Sequence, residues 1–271
     1  MRARCRDDRR TVSWPPGDDV PMPEEELPGG YVTGPVRVGD TVRRRPAARA
    51  EFVHRLLQWL ADADWRGAPR FLGFDELGRE MLTYLDGHVA WEARQPAGVW
   101  SAASMREAGR LVREFHDLTA GTELAQGEEV VCHNDLSPRN TIYRDGESGL
   151  RPVAFIDWDL AAPGKRIHDV AHACWQYLNL GPGVDDVDAA AQLMQVICDG
   201  YGLPDRSGLV DTILWQQDRC WRGISEGATA GEPAMIGLRE AGAVGQVQAD
   251  YRWTLQHRLA LERSSPARRR K

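Results

Sequence analysis

Lysine is almost missing from this chain: among 34 basic residues only Lys165 and Lys271 are lysines, and arginine supplies the rest. We read the bias first as a property of the coding sequence. It still has a chemical consequence, because any cation needed in the N-terminal half must be an arginine. A surplus of positive charge is also absent. The formal net charge is −6, and basic residues cluster only near the ends, at Arg2 to Arg10 and Arg268 to Lys271, so no nucleic-acid footprint is expected. Long apolar runs are missing, which argues against a bilayer-spanning helix. The cysteines are few and irregular: Cys5, Cys132, Cys174, Cys198 and Cys220, with no C-x-x-C pair. That spacing argues against a disulfide framework or a zinc site and fits reduced thiols in a cytoplasmic protein. The first residues are charged and proline-rich with no apolar stretch behind them, unlike a signal peptide.

What is present suits a globular protein. A length of 271 residues, 42% hydrophobic and 27% charged, allows two modest lobes or one large domain. Residues 1–27 read as a disordered or loosely draped leader, whose Trp14 and Val20 could dock on the body, and residues 263–271 as a basic tail.

One stretch organises the chain. Val130 to Leu160 reads VVCHNDLSPRNTIYRDGESGLRPVAFIDWDL. Two strand-like segments, Thr141 to Tyr143 and Pro152 to Ile156, flank the turn residues Asp145, Gly146 and Gly149, which predicts a β-hairpin. A hairpin brings its ends together, so Asn140 at its entrance and Asp157 at its exit should be neighbours. An amide oxygen and a carboxylate form an oxygen-only site that suits Mg²⁺ better than zinc. Asp135, just before the hairpin, is within reach and could accept a proton from a hydroxyl. Singly, each residue has an ordinary alternative. Asp135 could cap a turn, Asn140 could bond its own backbone, and Asp157 could be a buried structural acid. His133 reads as a residue that bonds backbone or orients Asp135. Asp159 reads equally as a second acid on the metal side or as a solvated residue.

His133-x-Asp135-x4-Asn140 followed by Ile156-Asp157 resembles the catalytic and metal loops of the kinase-like small-molecule phosphotransferases. That family includes aminoglycoside phosphotransferases, choline kinases and macrolide kinases. Asn134 after the histidine and Trp158 after Asp157 resemble this branch rather than protein kinases. The resemblance implies an α+β, bilobal, protein-kinase-like fold, with a small antiparallel-sheet N-terminal lobe over residues 28–87. A larger, mainly helical catalytic and acceptor-binding lobe would cover 88–262. It also implies ATP as co-substrate and Mg²⁺ as cofactor, Asp135 and His133 in the catalytic loop, and Asn140 and Asp157 as metal ligands. The partners implied are ATP and a small molecule with a hydroxyl acceptor, with no nucleic acid or membrane, in a monomer or homodimer.

The flanking sequence carries the remaining expectations. Gly29 and Gly30 resemble the start of a phosphate-covering turn, although no G-x-G-x-x-G is present. The strand Thr41 to Pro46 lacks the family's lysine, so Arg43 or Arg44 should replace it; alternation puts them on opposite faces, and the sequence does not say which points inward. A helix over Pro46 to Ala63 carries Glu51, which in the family pairs with that cation but equally suits the helix dipole. Strands are expected at Phe71 to Phe74 and Glu80 to Leu85; the second resembles the strand leading to the family's hinge, where backbone near Tyr84 would meet adenine, and equally suits ordinary lobe core. Ser104-x-x-Glu107 reads as a capping box ahead of a helix in which His116 is a packed residue. Asp169 reads as support for the metal loop. His168 and His172 share a helix face without a third metal ligand. Helices are expected at about Asp186 to Tyr201, Leu209 to Ile224 and Pro233 to Glu262. The missing lysine and glycine motif also motivate a second reading, a nucleotide- or small-molecule-binding protein with little turnover.

Overall fold

The computed structural model describes residues 23–27, 34–92, 94–146 and 149–263. Trp14, Val20, Gly29, Gly30 and the tail from 264 onward lie outside the described residues.

Five strands form an antiparallel sheet: β1 (Glu25–Glu26), β2 (Val36–Val38), β3 (Thr41–Arg44), β4 (Phe71–Phe74) and β5 (Glu80–Thr83), in the order β1-β2-β3-β5-β4. Glu25 and Glu26, expected within the leader, instead belong to the sheet: Glu25 pairs with Arg37 and Glu26 with Val36. Helix α1 (Ala50–Asp62) connects β3 to β4 and buries Val53, Leu56, Leu57 and Leu60. This stripe at helical spacing is the one visible in the sequence.

The chain then becomes mainly helical. Helix α2 (Ala102–Thr119) is capped by Ser101, whose hydroxyl accepts from the Ser104 amide at 3.1 Å. The expected Ser104 cap is thus corrected by one turn: Ser104 itself is buried inside the helix. Next come β6 (Val130–Cys132), the hairpin of β7 (Thr141–Gly146) and β8 (Gly149–Phe155), and β9 (Ala162–Gly164), which pairs with β6. The hairpin lies where Asp145, Gly146 and Gly149 predict it. Five helices follow: α3 (Arg166–Leu178), α4 (Val187–Tyr201), α5 (Leu209–Thr229), α6 (Pro233–Glu240) and α7 (Ala243–Gln256). A sixth, α8 (Arg258–Arg263), completes the series. The long final helix read from the sequence is three helices. Gly242 at φ 84° breaks the first junction, a conformation open to glycine without steric cost.

Two elements fix the larger lobe. Helices α2 and α4 approach closely at Gly109 and Gly200, where an added Cβ would collide with the carbonyl oxygens of Ile197 and Arg106 respectively. The other element is an aromatic knot. Trp158 is buried and packs edge-on against Phe115, with ring centroids 5.0 Å apart, and lies 4.5 Å from the His133 ring. Trp158 therefore seats the loop carrying Asp157 and Asp159 on the core. Among the described residues no helix is long and apolar enough to cross a membrane.

Candidate active site

The loop after β6 is held from below. Asp169, at the first turn of α3, is fully buried and accepts the amides of His133 at 2.7 Å and Asn134 at 2.9 Å. It also meets His116 Nε2 at 3.0 Å, and His116 Nδ1 lies 2.9 Å from the Tyr201 hydroxyl. Burial pushes the Asp169 carboxyl up, but bonds to His116 and the loop amides outweigh it and hold its pKa below the usual range. The sequence reading of Asp169 as loop support and of His116 as a packed residue describes this arrangement.

His133 ties the two functional loops together. Its Nε2 donates to the Ile156 carbonyl at 3.1 Å, and its Nδ1 accepts from the Asp135 amide at 3.3 Å. A neutral imidazole supplies one donor and one acceptor. Burial lowers its pKa to about 4, so the ring remains neutral. His133 is fully buried and turned toward backbone groups.

Asp135, Asn140 and Asp157 gather at the open end of the hairpin. Asn140 Nδ2 donates to the Asp135 carboxylate at 2.8 Å and to the Asp135 carbonyl at 2.9 Å. With its nitrogen committed to Asp135, Asn140 has its amide oxygen left as a ligand atom. The Ile156 amide donates to the Asn140 carbonyl at 2.9 Å, which joins the entrance of the hairpin to its exit. Asp157 follows in a left-handed conformation, φ 61°. A non-glycine residue held there is an outlier that the surrounding fold must enforce, and such outliers cluster at functional sites. Partial burial pushes Asp135, whose side chain is 40% exposed, up to about 7, with Asp157 and Asp159 adding to it. Asp157 is raised by burial and by Asp159. Crowded carboxylates of this kind create demand for a cation. The oxygen-only donor set of Asn140 and Asp157 fits Mg²⁺.

Arg44 answers part of that demand. The alternation of β3 turns Arg44 inward, and the guanidinium reaches Glu80 at 2.5 Å and both oxygens of Asp159 at 3.0 and 2.5 Å. It lies 3.8 Å from Asp157. Burial works against its charge, but Asp159, Glu80 and Asp157 outweigh it and raise the pKa. Arg43 turns to the other face and stands 3.7 Å from Asp75. The expectation that Glu51 pairs with the strand cation is corrected. Glu51 is exposed in the first turn of α1, and Glu80 on β5 takes the role, with His54 of α1 bonded to its second oxygen at 2.5 Å. Sequence reasoning missed Glu80 and His54. The available signal was an acid heading an otherwise apolar strand. Tyr84 lies under the Arg37 guanidinium at 3.8 Å, and its amide donates to the Asp40 carbonyl at 2.8 Å. One face of the Tyr84 ring is therefore already covered by Arg37. His168 and His172 do not converge on a metal: the His168 ring tilts over Trp215 at 4.8 Å, and His172 faces Asp135.

Residues 119–206, which span Asp135, Asn140, Asp157 and Asp169, match the family model described as "Phosphotransferase enzyme family". The chain is 32% identical over 213 residues to the trifolitoxin immunity protein of Rhizobium leguminosarum bv. trifolii, covering 69% of this chain and 78% of that protein. The chain belongs to the phosphotransferase enzyme family. Solved structures agree on the fold. A macrolide 2'-phosphotransferase from Brachybacterium faecium superposes with a TM-score of 0.57 at 18% identity, over 84% of this chain and 93% of that one. A choline/ethanolamine kinase family protein from Mesorhizobium loti gives 0.57 at 14%, over 89% and 92%. The fold of this phosphotransferase-family chain is therefore kinase-like and bilobal, with a small antiparallel sheet and a mainly helical remainder.

Proposed function

We propose that this chain is an ATP- and Mg²⁺-dependent phosphotransferase that moves the γ-phosphoryl group to a hydroxyl of a small molecule. One observation carries the reading: Asp135, Asn140 and Asp157 converge at the open end of the hairpin, with Arg44 reaching the same point from the sheet. The sheet region through residue 87 would hold the nucleotide, and residues 88–262 the catalytic loop and the acceptor.

Each residue has a role its surroundings support. The Asp135 carboxylate orients the acceptor hydroxyl and takes its proton. The Asn140 amide oxygen and the Asp157 carboxylate would hold Mg²⁺, which when bound neutralises charge on the phosphate oxygens. Arg44 steadies the phosphate tail, its fork suited to bidentate oxygen contacts, while Glu80 and Asp159 fix its direction. His133 acts through backbone, keeping the Asp135 and Asp157 loops in register. Catalysis in this scheme is positioning and electrostatics. An amine-bearing alcohol is the acceptor class favoured by the chain's net negative charge.

A second reading has its own support. Three of the five Arg44 N–H donors are already taken by Glu80 and Asp159, and a relative is named an immunity protein. Both suit a protein that protects by binding a toxic small molecule with little turnover.

The test is Mg²⁺-dependent ATP turnover against a panel of hydroxylated amines, antibiotics and sugars, with Asp135→Ala beside the wild type. We expect turnover on one acceptor, reduced at least about 100-fold in Asp135→Ala, the scale of lost general-base catalysis. Nucleotide binding without turnover on any acceptor, unchanged in the variant, would favour the binding reading.

A further inference from the structure

His172 is a buried histidine that packing alone does not explain. Its side chain is 9% exposed, and neither ring nitrogen has a hydrogen-bond partner. A buried polar group left unpaired costs about 1–3 kcal/mol. An apolar ring would fill the space beside Trp175, whose ring lies 5.5 Å away edge-on, without that cost. Gln216 is the polar side chain nearest the ring and favours its N–H form weakly, but no well-formed hydrogen bond joins them, and its amide nitrogen donates to the His168 carbonyl at 3.3 Å.

The placement of the ring is specific. His172 Nε2 stands 3.8 Å from Asp135 Oδ1. The other Asp135 oxygen, Oδ2, accepts from Asn140 at 2.8 Å. The carboxylate therefore has one donor fixed on its metal-loop side and a second poised opposite. A good N–H···O bond spans about 2.7–3.2 Å, so a movement of under about 1 Å would close the gap. Both ring nitrogens are shielded from solvent, so a water molecule cannot satisfy Nε2 in its place. The ring is also well anchored. It sits one turn beyond Asp169, which grips the Asp135 loop through the amides of His133 and Asn134, so helix and loop keep a fixed spacing.

We propose that His172 is a positioning residue for Asp135: its Nε2–H closes onto Oδ1 when the nucleotide site fills, and fixes the carboxylate plane toward the acceptor hydroxyl. Hydrogen bonds of catalytic groups are often long before ligands bind and tighten afterwards. The role is mechanical, and no proton passes to the imidazole. It rests on the reading of Asp135 as the base, and its first test needs no acceptor.

The decisive measurement is ¹⁵N–¹H NMR of the histidine rings in the full chain, with and without Mg²⁺ and ADP. We expect His172 as the neutral Nε2–H tautomer, with its Nε2–H resonance moving downfield on ligand addition, and no such movement in Asp135→Ala. A His172 signal identical in wild type and Asp135→Ala, or an Nδ1–H tautomer, would overturn the proposal. Kinetics give a second, independent arm. His172→Phe should fold as well as wild type or better, bind MgATP equally and lose roughly 10- to 100-fold in kcat, the scale of an ångström-level misplacement. His172→Gln, which can offer an amide donor near Nε2, should recover part of that loss. Full turnover in a folded His172→Phe would overturn the proposal. If wild type shows the NMR coupling but turns over no acceptor, the phosphotransferase reading fails while His172 stands as the holder of Asp135.

Discussion

Arg44 and Glu80 face each other across the β3–β5 ladder, and their side chains meet at 2.5 Å in a setting where Glu80 is 1% exposed. Glu80 is also the bridge to α1, through His54. One buried carboxylate thus fixes both the helix and the cation that reaches Asp157 and Asp159. The same guanidinium meets Asp159, so the sheet and the hairpin region share a single charged junction.

Loss of Glu80 should be felt across that junction. Glu80→Ala leaves Arg44 and His54 without their shared partner, and breaking a buried pair from one side costs about 3–5 kcal/mol. Glu51→Ala, on the exposed start of α1, should change stability by less than about 0.5 kcal/mol. Urea unfolding of the two variants checks the contrast. Equal midpoints would mean that the helix glutamate matters as much as the strand glutamate, contrary to the geometry.

Helix contact predicts a second contrast. Gly109→Ala and Gly200→Ala place a methyl group against a backbone carbonyl of the facing helix. Each should destabilise by about 1–3 kcal/mol, as overpacking does. Gly223→Ala, within α5 with nothing within 4 Å of the added Cβ, should instead stabilise by up to about 1 kcal/mol through helix propensity. Thermal or urea denaturation of the three variants reads the sign directly.

The third prediction concerns pH. Burial holds His133 neutral, with its pKa lowered to about 4 from an ordinary 6.5. Between those values the unfolded chain takes up a proton there and the folded chain does not. The stability His133 confers is therefore present above pH 6.5 and is lost as pH falls toward 4, by about 1.4 kcal/mol per unit. Asp135, raised to about 7, acts in the opposite sense over an overlapping range, so the effect must be isolated. The difference in unfolding free energy between wild type and His133→Gln should be flat above pH 7 and shrink with that slope below 6.5. A difference that stays constant down to pH 5 would show that His133 is protonated in the native state.

Much of the site could be read from residue order because its parts are close in sequence. Asp135, Asn140 and Asp157 lie on one loop and one hairpin, and turn residues at Asp145, Gly146 and Gly149 force the ends of that hairpin together. Local chemistry was enough, and the apolar stripe of α1 and the support role of Asp169 were readable for the same reason. The helix breaks after α6 and the true cap of α2 were not, since a serine or glycine can serve either inside or at the end of a helix until packing selects one.

The sequence by itself determined that any cation on β3 must be an arginine, and that the hairpin's entrance at Asn140 and its exit at Asp157 must be neighbours. Which arginine enters the cleft, and which acid receives it, only the tertiary structure decided. Strand alternation makes Arg43 and Arg44 equivalent candidates until the sheet has a buried face. Glu51 and Glu80 are equivalent partners until α1 takes its rotation against the sheet. That rotation is set by the burial of Val53, Leu56, Leu57 and Leu60, which leaves Glu51 in solvent and brings His54 to Glu80. His172 stands 3.8 Å from Asp135 for the same reason: the two lie on separate elements that the fully buried Asp169 holds together.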